Sequence, residues 1–434
     1  MISIGEARAR ILCHCSPLDS EAKHPLEALG QVLDEDLCAE FDIPPLANSA
    51  MDGYAVRAAA TAGARLDDAV VLRVIGEVAA GYVFDGVVGD GEAVRIMTGA
   101  PVPAGADAVV PFEDTDESLW QARPKSRKAA GFVLVDVFRA VCPGANVRLA
   151  GEDVRSGETV VRRGTVLRPP EVGVIASLGR AILRVIRRPV VAILSTGDEL
   201  LEPGQPRFGS RIYDSNAWGI AAMVTRFGGI PRLMGIAQDN VEALTAAIHD
   251  SLDADLLVTS AGVSRGDFDV VKDVLAREGQ IDFCSVAMKP GKPLAFGYFE
   301  KDGRRVPHIG LPGNPVSSMV AFELFGRPAI LKMMGKTDFR RPVIRAICED
   351  RISNCGDPRV FFARCTVTER DGRAYARLTG AQGSGMLTSM IQANALAVVP
   401  ADVDVVEPGD EVNVLMLDWS RGEDWGSYAS DSCL

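Results

Sequence analysis

Lys289-Pro290-Gly291-Lys292-Pro293 is the stretch of this chain hardest to account for as ordinary surface. Two prolines fix the backbone and a glycine turns it, so two ammonium groups are mounted in defined directions, an arrangement suited to an oxyanion. Ser195-Thr196-Gly197-Asp198-Glu199-Leu200 offers the complementary chemistry. Its paired acids follow an apolar run and could ligate Mg²⁺, which takes carboxylates and retains waters; a glycine turn with a helix-capping acid is the plain alternative. Asp214-Ser215-Asn216 precedes a helical stretch. It reads as an N-cap, and a helix start also attracts phosphate and hydroxyl groups. In residues 260–269 small side chains around Ser260, Gly262, Ser264 and Gly266 would let backbone amides approach an anion. Asp267 and Asp269 open the helix that follows, where capping and the helix dipole already favour acids. Residues 310–318 (GLPGNPVSS), with Pro312, Pro315 and Ser317, make a strand-to-helix turn with the chemistry of a phosphate-binding helix N-terminus. The GKS/T ending of a Walker A loop is missing. Residues 48–55 read by themselves as an Asp-Gly turn and residues 96–107 as a rigid Pro/Gly connector.

Most of these loops follow short apolar runs of the kind that form buried parallel strands. In an open α/β sheet, loops at the carboxyl ends of strands line one crevice, and ligands bind there. Residues 185–335 alternate strand and helix patterns and are expected to form a doubly wound α/β domain with a mixed edge. Helices are expected over 217–227, 241–252, 268–277 and 316–331. Residues 1–45 read as helical, with Leu26, Leu29, Val32 and Leu33 on one stripe, and Pro44-Pro45 as the stop. Residues 48–141 carry short β runs separated by turns, with 118–131 as a polar hairpin loop. A helix at 170–178 is expected to pack back on the N-terminal helices, making that β region an insertion. The resulting division is 1–47 with 142–182, an inserted β domain at 48–141, the α/β domain at 183–335 and a C-terminal β domain at 340–418. The polar, acidic residues 419–434 are expected to form a disordered tail.

The chain has 434 residues, of which 47% are hydrophobic and 24% charged, the balance of a soluble multidomain protein. A formal charge of −12 argues against a bulk surface for nucleic acid, so an anionic ligand must be held by a local group of Lys and Arg. The first residues lack a signal-peptide pattern, and apolar runs stay under the ~18 residues needed to span a bilayer. The expected location is the cytoplasm, with no membrane partner. Nine cysteines form no CxxC pair, and Cys13 and Cys15 beside His14 sit on an amphipathic helical pattern that favours free thiols over a zinc site. The four histidines are dispersed, and His308, in an apolar run, is expected to be a core residue rather than a base.

Together the stretches resemble the molybdopterin molybdenumtransferase family, known in bacteria as MoeA and related to the gephyrin E-domain. Residues 48–57 (NSAMDGYAVR), 97–107 (MTGAPVPAGAD), 195–200 (STGDEL), 261–269 (AGVSRGDFD), 288–297 (MKPGKPLAFG), 310–318 and 383–396 (GSGMLTSMIQANAL) stand in that family's order. The likeness runs over roughly residues 5 to 417. It implies an elongated homodimer of four-domain subunits, each with a central molybdopterin-binding α/β domain, an inserted β domain and a C-terminal β-barrel-like domain. The implied reaction joins molybdate to adenylylated molybdopterin with release of AMP, and requires Mg²⁺. By resemblance Glu199, Asp214 and Asp269 line the cleft with Asp198 and Asp267 beside them, and Asp198, Glu199 and Asp269 are the implied metal ligands. Asp52 and Thr98 are implied to reach the cleft from the partner subunit. Lys289, Lys292, Pro293, Ser260, Ser264, Pro312, Pro315 and Ser317 are implied to hold the substrates, with Arg359 and Ser384 from the C-terminal domain. Arg359 opens an Arg-x-x-Phe-x-Arg pattern that ends at Arg364, and either arginine could face the cleft. The upstream adenylyltransferase and acceptor molybdoenzymes are the implied protein partners.

Three departures accompany the likeness. No basic residue precedes the KPG motif within 284–287, Ala261 replaces the first of a usual Gly-Gly pair, and Ala395 stands where glycine is common. Two other readings compete. An adenylyltransferase would share the α/β domain but not the flanking β domains. A non-catalytic scaffold would be expected to lose its acids, whereas Asp52, Asp198, Glu199, Asp214, Asp267 and Asp269 are all present. A tungstate-handling relative is a further alternative, since the two oxyanions share shape and charge.

Overall fold

The structure is a computed structural model that describes residues 1–119, 127–129, 132–260 and 270–418. The chain divides into two compact units, one of residues 1–23, 28–34 and 184 onward, the other of residues 24–27 and 35–183.

The first unit is built on a six-stranded sheet in the order Ile230–Ala237, Val190–Thr196, Leu256–Ser260, Arg304–Leu311, Pro293–Lys301, Gly279–Ser285. The first four strands are parallel and the last two pairings antiparallel, which is the mixed edge expected from the sequence. Val190–Thr196 is buried along nearly its whole length. A parallel strand covered on both faces has no solvent side, so its sequence runs VVAIL instead of alternating. The helices Ser215–Arg226 and Pro315–Ala321 cover one face and contribute Ile220, Val224, Val316 and Val320 to the largest core. Val241–Ser251 and Val270–Glu278 cover the other through Leu244, Ile248, Val274 and Leu275. The long helix expected over 316–331 is interrupted by a π-helical turn at Phe322–Gly326 before resuming as Arg327–Met333.

The first helix, Ile4–Cys13, is capped by Ser3, whose hydroxyl accepts from the Glu6 amide at 3.1 Å. Its buried residues Ala7 and Ile11 join the α/β core beside Ile330 and Met333. The helical reading of residues 26–33 is overturned: residues 25–30 form turns, and Leu26 is 79% exposed. Pro25 and Gly30, the latter at φ +81°, punctuate the segment, and the apparent stripe is split, with Leu26 and Leu29 exposed and Val32 and Leu33 buried.

In the same unit the chain ends its described course in a closed ring of strands. Val360–Arg370 pairs with both Arg373–Leu378 and Ala395–Val399, and Glu411–Met416 and Val343–Cys348 complete the circuit. Alternation sorts its residues: Phe361, Ala363, Cys365 and Val367 point into a small interior filled mainly by Ala, Val and Cys, as a narrow barrel demands. Phe362 and Leu396 point outward into the α/β core. The short strand Met288–Lys289 adds to the barrel through Val360 and Phe361, tying the KPG loop to it.

The second unit holds another six-stranded sheet, ordered Ala108–Pro111, Gly53–Val56, Glu92–Ile96, Val70–Val78, Phe132–Val137, Arg127–Ala129. The chain enters and leaves it through paired segments, Asn48–Ser49 with Val147–Arg148 and Leu37–Cys38 with Thr159–Val161. The expected tail, and part of the expected hairpin loop at 118–131, lie outside the described residues.

Candidate active site

In the α/β sheet the chain passes from Val190–Thr196 outward to Ile230–Ala237, then back across to Leu256–Ser260. The reversal falls between the first and third of these strands, where open α/β folds place ligands. Register brings the strand ends level: Thr196 opposite Ala237, Ser195 opposite Ser260, and Ser260 opposite Leu311. The loops that follow carry Asp198 and Glu199, then Asp239, then Pro312 and Gly313. Gly197 takes φ +141°, and a Cβ there would meet the Glu199 carboxylate at 2.5 Å, so the acid folds back over a position that only glycine leaves open. Beside this loop is a polar cleft of about 440 Å³, whose lining includes Asp198, Glu202, Arg211 and Gln238.

Sequence reasoning missed Asp239. Its amide N–H lies 3.5 Å from Asp198 Oδ1, and burial together with the Asp198 and Glu199 charges pushes its carboxyl above the usual range. The signal was available, because residues 237–240 end a parallel strand just before the Asn240-capped helix. Asp214 is buried and accepts from the Ala217 amide at 3.0 Å, so the plain capping role is realised. Asn216, two residues on in the same motif, has a role beyond capping. Its Nδ2 donates to Ser260 Oγ at 2.8 Å and to the Gly313 carbonyl at 2.7 Å, bridging two strand-end loops. Ser264, Asp267 and Asp269 lie outside the described residues.

The loop of residues 289–293 joins the same edge from its other side. Gly291 has φ +100°, and its Cα faces the Ser317 carbonyl closely enough that a Cβ would stand 3.5 Å from it. Ser317 is buried in the helix Pro315–Ala321, and the Val316 amide is already taken by the Ser384 carbonyl at 3.1 Å. That bond uses one of the free donors expected at this helix start and brings residues 383–385 of the barrel to it. Lys289 Nζ stands 4.7 Å from the centre of the Phe361 ring. Lys292 and Pro293 lead into the strand Pro293–Lys301. Arg359 Nη1 is 3.5 Å from the Met288 carbonyl, and its Nε donates to Asp357 Oδ1 at 2.7 Å. Arg364 is fully buried, and its guanidinium donates to Ser389 Oγ and to the carbonyls of Ala381, Gln382 and Gly383. Of the two arginines, Arg359 is therefore beside the lysine loop, and Arg364 braces the loop that presents Ser384.

In the second unit Asp52 and Thr98, 46 residues apart in sequence, meet directly. The Thr98 amide and hydroxyl both donate to Asp52 Oδ1, at 2.6 and 2.8 Å. These bonds hold the exposed Asp52 carboxyl below its usual range. His308 is the core residue expected, with Nε2 3.0 Å from Thr259 Oγ1 and a pKa pushed down to about 3 by burial. Cys15 is buried and its thiol pushed up to about 12, whereas Cys13 is exposed. An apolar pocket of about 220 Å³ near Phe227, Met319 and Met390 contains none of the candidate site residues.

Among the described residues no three His, Cys, Asp or Glu side chains close around one point. The edge offers two adjacent acids, Asp198 and Glu199, with Asp239 crowded against them. That donor set fits hydrated Mg²⁺, which leaves positions to water and phosphate oxygens, and does not fit a closed zinc cage.

Comparison with known proteins covers most of the chain. Residues 2–179 match the MoeA N-terminal region (domains I and II), residues 192–332 a probable molybdopterin binding domain, and residues 347–417 the MoeA C-terminal region (domain IV). Molybdopterin molybdenumtransferase 2 of Mycobacterium tuberculosis is 37% identical over 395 residues, covering 89% of this chain and 93% of the relative. The Haemophilus influenzae molybdopterin molybdenumtransferase is 33% identical over 422 residues, covering 95% and 98%. A crystal structure of the molybdopterin biosynthesis MoeA protein of Pyrococcus horikoshii superimposes with a TM-score of 0.76 at 32% identity, covering 96% of this chain and all of that one. With domain matches along its length and relatives this similar over nearly all of it, the chain belongs to the MoeA family of molybdopterin molybdenumtransferases.

Proposed function

We propose that this protein inserts molybdate into adenylylated molybdopterin, releasing AMP and forming molybdenum cofactor, and that it does so with Mg²⁺ in the cytoplasm. The observation that carries the reading is continuity between unlike charges. Asn216 links Ser260 to Gly313, the helix after Gly313 touches both Ser384 and the Gly291 turn, and that turn mounts Lys289 beside Phe361 and Arg359. A single edge of the α/β unit thus runs from acids to cations. Asp198 and Glu199 would hold the Mg²⁺, with Asp239 beside them, and Asp269 is the further ligand implied by resemblance. When bound, the ion would offset phosphate charge and polarise the phosphoanhydride.

The protein's own groups then divide the work. Lys289 and Arg359 supply two charges for a tetrahedral dianion, on mounts set by Pro290 and by the barrel strand, with Lys292 and Ser317 adjoining. The Gly197 turn shapes the loop that carries Asp198 and Glu199, and the Asn216 bridge joins the Ser260 and Gly313 strand ends. Asp52, kept ionised by Thr98, is the remaining carboxylate of the reading, supplied by the partner subunit of a homodimer. Among the described residues no helix is long and apolar enough to cross a membrane.

The test is to incubate the purified protein with adenylylated molybdopterin, Mg²⁺ and molybdate, following AMP release and metal on the pterin together. Molybdate-dependent AMP release with metal retained is the expected result. Tight pterin binding without turnover would reject this reaction in favour of scaffolding, and turnover only with tungstate would move the assignment to that oxyanion.

A further inference from the structure

One carboxylate lies in the corner that the proposed function gives to the oxyanion. Asp357 pairs with Arg359 at two points, Oδ1 accepting from Nε at 2.7 Å and Oδ2 from Nη2 by a shorter bond. The two side chains are only 23% and 19% exposed, so this is not a loose surface pair. Buried Asn354 clamps the turn that carries both. Its Nδ2 donates to the carbonyls of Asp357 at 2.8 Å and Arg359 at 3.0 Å, and its backbone amide donates to the Asp404 carbonyl at 2.8 Å. The Arg359 guanidinium, with the Lys289 ammonium adding to it, holds Asp357 well below the usual carboxylate range. Asp357 is therefore charged at neutral pH. It fills the fork of the arginine that resemblance assigns to molybdate.

We propose that Asp357 is a resident counter-anion: it occupies the Arg359 fork in the absence of substrate, yields it to a tetrahedral dianion, and thereby excludes monoanions. The inference rests on the oxyanion role given above to Lys289 and Arg359. Two unopposed cations on a rigid mount would be open to any abundant anion, chloride included. With Asp357 present the three side chains carry a net formal charge of +1, and a newcomer must break two charge-assisted hydrogen bonds. A dianion with two oxygens on one edge can replace both bonds and brings twice the charge. A spherical monoanion only matches the charge it displaces and cannot span both bonds, which is selectivity by an opposing element. Asp357 acts through Arg359 and is thus a positioning residue.

The experiment compares wild type, Asp357→Asn and Asp357→Glu. In Asp357→Asn the KM for molybdate should fall about five-fold, kcat/KM should rise in step, and competitive inhibition by chloride should tighten about ten-fold. Asp357→Glu, which restores the charge, should return both values toward wild type. An unchanged or raised KM in Asp357→Asn, or chloride inhibition that does not move, would overturn the proposal. Equilibrium dialysis of the protein with molybdate alone, without pterin, separates this inference from its premise. If Lys289→Ala weakens molybdate binding while Asp357→Asn leaves it at the wild-type value, the counter-anion is wrong and the oxyanion corner stands. If Lys289→Ala also leaves binding unchanged, the corner itself is wrong and the proposal falls with it.

Discussion

Two hydrogen bonds to one oxygen determine the state of Asp52. Both Thr98 donors stabilise its ionised form, so its pKa in the folded protein lies below the unfolded value. The sign follows: the stability it contributes is fully present above the ordinary carboxylate range and is lost as pH falls through the lowered folded pKa. Near neutral pH Asp52 is a fixed anion. Asp52→Asn should cut AMP release about a hundred-fold or more while moving Tm by only about 1 °C, since the side chain is exposed. Thr98→Val keeps the amide bond and removes the hydroxyl one, and should cost about ten-fold in rate. Steady-state rates beside thermal melts decide both. Asp239 has the opposite sign. Its raised pKa means that folding charges it against burial, Asp198 and Glu199, a penalty absent below the ordinary carboxylate range and complete above the raised folded value. Asp239→Asn should therefore raise Tm at pH 7 by about 1–3 °C, and the gain should vanish near pH 3–4. If Mg²⁺ binds at this edge as proposed, the variant should also gain less Tm from added Mg²⁺ than the wild type does, while activity falls. A lowered Tm at pH 7 would contradict this account of the acidic edge.

At the scale of elements, the barrel depends on one buried cation. Arg364 satisfies the carbonyls of Ala381, Gln382 and Gly383 as well as Ser389 Oγ, and burial pushes its pKa down. Arg364→Met removes these four donated bonds, Gly383 keeping the Met386 amide, and should destabilise the barrel by about 3 kcal/mol, whereas Arg359→Met, removing a partly exposed pair, should cost about 1 kcal/mol or less. Calorimetry of the two variants tests the contrast, and equal losses would mean that Arg364 is no brace. The pattern Arg-x-x-Phe-x-Arg could not reveal this division by itself. Arg364 lies in the strand Val360–Arg370 and Arg359 just before it, and which of them is buried depends on the barrel's closure, a pairing between distant segments. The same limit explains the other differences. The continuous apolar run of Val190–Thr196 and the alternation around Phe361–Val367 are local patterns and were legible. The strand-end position of Asp239 was readable, but its crowding against Asp198 comes from the register of Ala237 with Thr196, and the false helix at 26–33 arose because a stripe of four residues does not state what it packs on. Pairing Asp52 with Thr98 came from resemblance, since an Asp-Gly turn and a Pro/Gly connector have ordinary structural uses.

For the whole molecule, the proposed site needs two subunits, and mixing subunits is a test that single variants cannot supply. Asp52 belongs to the unit of residues 35–183, and Glu199 to the unit that begins again at residue 184. If each site takes Asp52 from one subunit and Glu199 from the other, Asp52→Ala and Glu199→Gln homodimers both lack an intact site. A heterodimer of the two places both lesions in one site and leaves the second intact. Random re-association gives about half heterodimers, each with one of two sites working, so the mixture should recover about a quarter of wild-type AMP release. If instead both residues of a site come from one subunit, every subunit in the mixture remains defective and the recovered rate stays at that of the parents. Differently tagged subunits, purified through both tags, raise the expected recovery to about one half and remove the statistics of mixing from the measurement. Recovery at that level would also bear on the exposed position of Asp52 and Thr98: a carboxylate held ionised at the surface of one subunit becomes an active-site group once a second subunit supplies the acids and cations it faces.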